Sequence, residues 1–145
     1  MILFYISVIF IPLIDSMFKY FIRQNLSEHM CIDTFLPFLK ITYVKNFGVA
    51  LGMFAGNTLI TVFISSIIML YIIYLIFIKK NRDKLFLLSS AFVVGGGIGN
   101  LLDRIFLGFV TDYLQLTFFS PVCNISDYFI SLGIVMMSVY ILREQ

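Results

Sequence analysis

Two aspartates, Asp112 and Asp127, are conspicuous in a chain of 145 residues that is 61% hydrophobic and 12% charged. Asp112 follows Gly-Phe-Val-Thr and precedes Tyr-Leu, an apolar setting that tends to raise a carboxyl pKa. Asp127 closes the run Asn-Ile-Ser-Asp, which has the form of a helix start with Asn124 as N-cap and Asp127 at N3, where the helix dipole favours a carboxylate. Capping accounts for Asn124 and Asp127 but leaves Asp112 unexplained. One carboxyl biased neutral and one biased ionised suit acid–base activation of water, in which one takes a proton from water and the other polarises a carbonyl. Other hydrolytic chemistries fit less well. Ser16 and Lys19 are the nearest approach to a serine/lysine pair, but Asp15 on the same helix keeps Lys19 charged, and the zinc motif HExxH is absent.

Further polar residues cluster toward the same region. Asn100, Asp103 and Arg104 are spaced i, i+3, i+4, so they form one polar face near a helix end. Asp103 and Arg104 can simply mark a membrane surface, whereas an amide one turn deeper needs a hydrogen-bonding partner. Asp15 and Lys19 stand i, i+4 with the acid first and can neutralise each other; a structural ion pair and a substrate-contacting role both remain open. Asn46, in KNFGVALG, reads as a turn residue beside a strand end, with a site role as the alternative. His29 reads as an exposed surface residue. Gly95 and Gly99 make a G-xxx-G face suited to close helix approach, and the run does not complete GxGxxG. Cys31 and Cys123 lack zinc or CxxC spacing; their pairing with each other stays open.

The elements that must position these groups are membrane spans. A span takes about 20 mainly apolar residues, and four such segments are present, at 2–22, 59–78, 85–102 and 125–142. Residues 35–53, rich in Phe, Ile, Tyr, Val and Thr, suggest short strands outside the membrane. The loop 79–84 carries four Lys/Arg, the positive-inside signature. It predicts both termini in the cytoplasm and the segments 23–57 and 104–124 on the outer face. A net charge of +2 without a basic stripe gives no sign of a nucleic-acid partner, and none is expected. A small transporter or membrane subunit with proton- or ion-binding carboxylates is the competing class; it predicts acids near mid-membrane and internal symmetry, and no repeat is visible.

KNFGVALG, GGGIGNLLDRIFLGFVTDY and CNISDYFISLG, together with Asp15 and Lys19 in the first span, resemble the sequence blocks of the bacterial lipoprotein signal peptidases, also called signal peptidase II. The likeness extends over nearly the whole chain in length, span number and motif order. It implies an all-α membrane protein of four transmembrane helices with a small extracytoplasmic β-rich cradle, a single peptidase domain over residues 1–145 in the bacterial inner membrane. It implies Asp112 and Asp127 as catalytic aspartates. Asn46, Asn100, Arg104 and Asn124 would line the site and hold substrate or dyad, with Asp15 and Lys19 supporting it from the first helix. The implied substrates are diacylglyceryl-modified prolipoproteins, cut on the N-terminal side of the lipidated cysteine by a monomer among membrane lipids, with no metal or cofactor. Leu51 stands where that family usually has Phe, and Cys123 and Ser126 where it usually has Phe and Ala. These departures neighbour the site and bear on substrate preference and inhibitor fit more than on activity.

Overall fold

The computed structural model describes residues 1–48, 57–79 and 83–144. Four long helices cross it: α1 (Ile2–Asn25), α2 (Thr58–Ile78), α3 (Lys84–Leu107) and α4 (Ile125–Arg143). Each is long and apolar enough to span a membrane, so the chain is a multi-pass membrane protein. The central helix is α3, whose apolar window is 61% buried against 17–22% for the other three. Small residues let its neighbours in close. A Cβ on Gly95 would lie 3.1 Å from the Ser7 carbonyl of α1, whereas one on Gly96 would lie 2.5 Å from the Ser126 carbonyl of α4. Gly95 and Gly99 both abut α1, at Ser7 and Ile11 and at Asp15, as a G-xxx-G face allows, while Gly99 also meets Ser126 and Gly96 meets Ser126 and Ile130 of α4, and Gly97 faces Met69 of α2.

At one end of the bundle lies a four-stranded antiparallel sheet, β1 (Cys31–Asp33), β2 (Leu39–Asn46), β3 (Val110–Leu116) and β4 (Val122–Cys123), in that spatial order. Strands were expected within 35–53. The first pair in the structure lies at 31–33 and 39–46, and residues 49–53 fall outside the described residues. The segment 104–124, read from sequence only as an outer loop, supplies the other two strands. Its strand character was hidden because Thr111, Asp112 and Gln115 interrupt the apolar alternation that marks a half-buried strand. Helix α3 also continues past the expected end at residue 102, closing at Gly108, whose φ of 81° is the left-handed conformation glycine accepts without penalty.

The sheet docks on the bundle through Tyr43 and Tyr113, which pack with Ile22 and Leu26 from the end of α1. A second cluster, Ile76, Phe86, Leu87 and Tyr140, closes the opposite end. The register of β2 and β3 is interrupted between Ile41/Leu114 and Val44/Asp112. Such a bulge re-aims the side chains beside it. Val44 lies opposite Asp112 and Asn46 opposite Val110, so Asn46 and Asp112 become diagonal neighbours on one face of the sheet.

Candidate active site

Three strategies of backbone placement bring the polar residues together. Asp112 arrives on β3, Asp127 on the first turn of α4, and Asn100 with Asp103 on the last turns of α3. Asn124 caps α4: its Oδ1 accepts from the Asp127 N–H at 2.9 Å, and Asp127 Oδ2 accepts from the Asn124 N–H at 3.2 Å, a reciprocal capping box. The same asparagine donates through Nδ2 to Asp112 Oδ1 at 2.6 Å. One buried residue thus holds both carboxyl groups, Asp112 through its side chain and Asp127 through its backbone N–H.

Each carboxyl receives a further amide. Asn46 Nδ2 donates to Asp112 Oδ2 at 2.8 Å, while its Oδ1 accepts from the Gly48 N–H at 2.9 Å. Asn46 therefore both closes the turn at Gly48 and contacts Asp112, through different atoms of one amide. Asn100 Nδ2 donates to Asp127 Oδ1 at 2.7 Å, the partner that its depth in α3 demanded. Asp112 is 2% exposed. Burial first, then the neighbouring Asp127 charge, push its carboxyl up to about 7, against the hydrogen bonds from Asn46 and Asn124 that favour the ionised form.

Behind this pair lies a buried charge network. Lys19, fully buried, pairs with Asp15 Oδ2 at 2.6 Å and donates to Asn100 Oδ1 at 2.8 Å. Asp103 is buried and partnered: its Oδ2 accepts from the Thr111 N–H at 2.8 Å and lies 3.6 Å from Lys19, and Arg23 approaches its Oδ1 at 3.4 Å. Arg23 also donates to Thr111 Oγ1 at 2.8 Å. Arg104 leans to the other side, donating to the Gly48 carbonyl at 2.7 Å. Sequence reasoning left Arg23, Thr111, Tyr113 and Ser126 without a role in this network. Only the alternation of Thr111 and Tyr113 about Asp112 hinted that both flanking side chains point to the face opposite the acid.

A cavity of about 1070 Å³ opens over the pair, lined by Asn46, Asn100, Arg104, Asp112 and Asp127 with Phe119 and Cys123. A second cavity of about 530 Å³, almost wholly apolar, runs between α2, α3 and α4 toward Lys79 and Tyr140, and shares Ser65, Gly97, Ile130 and Ile134 with the first. Cys123 thus faces the cavity. Ser126 does not: its Oγ turns inward to Asp15 at 2.7 Å, so its presence cannot act on a ligand by contact. Cys31 and Cys123 are both free. Burial, followed by the charges of Asp127 and Asp112, pushes the Cys123 thiol up to about 11.

Comparison with known proteins places this chain in a family. Residues 7–143 match the family model described as signal peptidase (SPase) II. Among curated proteins, the lipoprotein signal peptidase of Clostridium novyi is 30% identical over 94% of this chain and 95% of its own length. Those of Caldanaerobacter subterraneus and Wigglesworthia glossinidia brevipalpis are 33% and 35% identical over 91% and 90% of this chain, and 90% and 88% of their own lengths. The fold superposes with a TM-score of 0.90 on a solved bacterial membrane enzyme of 25% identity, over 97% of this chain and 88% of that one. A four-helix membrane bundle, a small antiparallel sheet and these sequence relatives agree: the chain belongs to the signal peptidase II family.

Proposed function

We propose that this chain is an aspartic endopeptidase that removes signal peptides from diacylglyceryl-modified prolipoproteins, cutting on the N-terminal side of the lipidated cysteine, with Asp112 and Asp127 as its catalytic pair. The observation that carries the reading is the double engagement of Asn124, whose side chain donates to Asp112 while its backbone N–H and Oδ1 box Asp127. Two carboxyls so held share one buried setting, and like charges there cannot both ionise easily. The surrounding charges favour one shared proton as well. Lys19, Arg23 and Arg104 face Asp15, Asp103, Asp112 and Asp127, so a single proton on the pair leaves the cluster neutral.

In the proposed cycle Asp112 holds that proton and Asp127 is the carboxylate. Asp127 takes a proton from water as the hydroxyl adds to the scissile carbonyl, and Asp112 gives its proton to the carbonyl oxygen. Collapse of the tetrahedral intermediate returns that proton to Asp112, while Asp127 protonates the leaving amine. The apolar cavity that shares walls with the site suits part of the apolar stretch of a signal peptide, roughly 7–15 residues long, and Asn46, Asn100, Arg104 and Asn124 hold dyad or substrate. The basic loop 79–84 supports cytoplasmic termini and an outward-facing site, although residues 80–82 lie outside those described. We take the working unit to be a monomer in the inner membrane, surrounded by lipid.

The test is cleavage of a diacylated lipobox peptide by the purified protein in detergent, with chelator present. Cleavage by the native chain and its loss in Asp112→Asn and Asp127→Asn is expected. Substantial turnover by either variant would refute the aspartic assignment.

A further inference from the structure

We propose that Ser126 and Tyr113 are positioning residues for the dyad, acting through Asp15. This rests on the reading of Asp112 and Asp127 as the catalytic pair. Both side chains are buried, at 0% and 1% exposure, and neither lines the site cavity.

Asp15 is the point where they act. Its Oδ2 accepts from Ser126 Oγ at 2.7 Å and its Oδ1 from the Tyr113 hydroxyl at 3.1 Å, while Lys19 Nζ lies 2.6 Å from Oδ2. A buried carboxylate with a lysine as sole partner would draw the ammonium wholly to itself or take up a proton. Two hydroxyl donors satisfy part of that demand. Lys19 is then free to divide its protons between Asp15, Asn100 Oδ1 at 2.8 Å and the Gly99 carbonyl at 3.5 Å.

The consequence passes through the Asn100 amide, which has one workable orientation. Lysine can only donate and a carboxylate can only accept, so Oδ1 must face Lys19 and Nδ2 must face Asp127, as observed. Rotated by half a turn, the amide would set NH₂ against ammonium and oxygen against carboxylate. Whatever fixes Lys19 on Asn100 therefore fixes Asn100 on Asp127. The two hydroxyls also hold the start of α4 itself, because Ser126 adjoins Asp127 and the Tyr113 oxygen accepts from the Ile125 N–H at 3.4 Å. The circuit closes: Asp127, Asn100, Lys19, Asp15, Ser126 and back along the chain to Asp127. Space is reserved for it on α3, where a Cβ on Gly99 would collide with Ser126 Oγ and lie 3.1 Å from Asp15 Oδ2.

The experiment compares Ser126→Ala and Tyr113→Phe with the native full-length protein in detergent, on a diacylated lipobox peptide, with Asp112→Asn and Asp127→Asn as inactive references. Each variant should lower kcat by roughly 10- to 100-fold, the scale of a small misplacement of a catalytic group, with little change in KM. The acidic limb of the kcat–pH profile should move to higher pH, and the double variant should be little worse than the poorer single. Native kcat and pH profile in both variants, with or without a lower melting temperature, would overturn the proposal, since a merely structural role predicts that result. If Ser126→Ala fails to fold, Tyr113→Phe decides by the same criteria. Turnover by the Asp127→Asn reference would instead remove the dyad reading, and this inference with it.

Discussion

Lys19 reaches Asp127 through a single amide: Nζ donates to Asn100 Oδ1 at 2.8 Å, and Asn100 Nδ2 donates to Asp127 Oδ1 at 2.7 Å. On the proposed assignment of Asp112 and Asp127, the fully buried ion pair of α1 supports the site rather than taking part in its chemistry, and several outcomes can be expected from that separation.

Lys19→Met should leave Asp15 buried with no cation, a loss of roughly 3–5 kcal/mol by analogy with broken buried ion pairs. Poor yield and a lower melting temperature in detergent are expected, with turnover reduced but measurable in the protein that folds. Adding Asp15→Asn should restore much of the stability. Complete inactivity of well-folded Lys19→Met would identify Lys19 as a participant in proton transfer.

Asp112→Asn and Asp127→Asn should each lose roughly 10²- to 10⁴-fold in kcat, the usual scale of acid–base catalysis. Because one proton serves both groups, the double variant should be scarcely worse than either single one. Multiplicative losses would show two independent roles.

The raised pKa of Asp112 fixes a direction for stability against pH. Its ordinary value is 3.8 and its folded value about 7, so the folded state binds the proton more tightly than the unfolded chain. Its contribution is fully present below about 3.8 and is lost as pH rises to about 7. Stability should accordingly fall between those limits, by an amount on the order of a few kcal/mol, and the melting temperature with it, and Asp112→Asn should flatten the slope. An unchanged slope in that variant would assign the titration elsewhere.

Asn124 has two duties that substitution can separate. Serine can still cap α4 but cannot reach Asp112 with a second donor, whereas alanine loses both functions. Asn124→Ala should cost about 1 kcal/mol more than Asn124→Ser in thermal stability, while both should lose most activity. Near-native activity in Asn124→Ser would mean that the contact to Asp112 is dispensable.

Topology can be read from a native thiol. Cys31 is exposed on β1, while Cys123 is half-buried with its thiol pushed up to about 11, so few thiolates form there. An impermeant maleimide should label intact cells at Cys31, and Cys31→Ser should abolish the signal. Labelling only after the cells are opened would place the sheet and the site on the cytoplasmic side.

Much of this molecule was legible in the order of its residues, because each feature concerned is local. Four apolar runs specify four spans since a helix in lipid must satisfy its own backbone, and Asn124 with Asp127 announces a helix start by their spacing alone. Asn100 was marked as needing a partner by its depth in an apolar helix. What the order of residues could not supply was which groups meet. Ser126 and Asp15 are 111 positions apart and Tyr113 and Asp15 are 98 apart, and no periodicity relates residues at such separations. The strand carrying Asp112 was hidden because Thr111, Asp112 and Gln115 break its alternation and because it is completed by β2, from beyond both the second and the third spans. Asp103 read only as a group that could mark a membrane surface, and its role as a buried acceptor came from the folding of β3 over α3, which supplied the Thr111 N–H. Residue type decided which groups could donate, accept or carry charge. Only the packing of α1 and α4 against the glycines of α3 decided that they would share one buried circuit, because charges unpaired in an apolar bundle are too costly to be left apart.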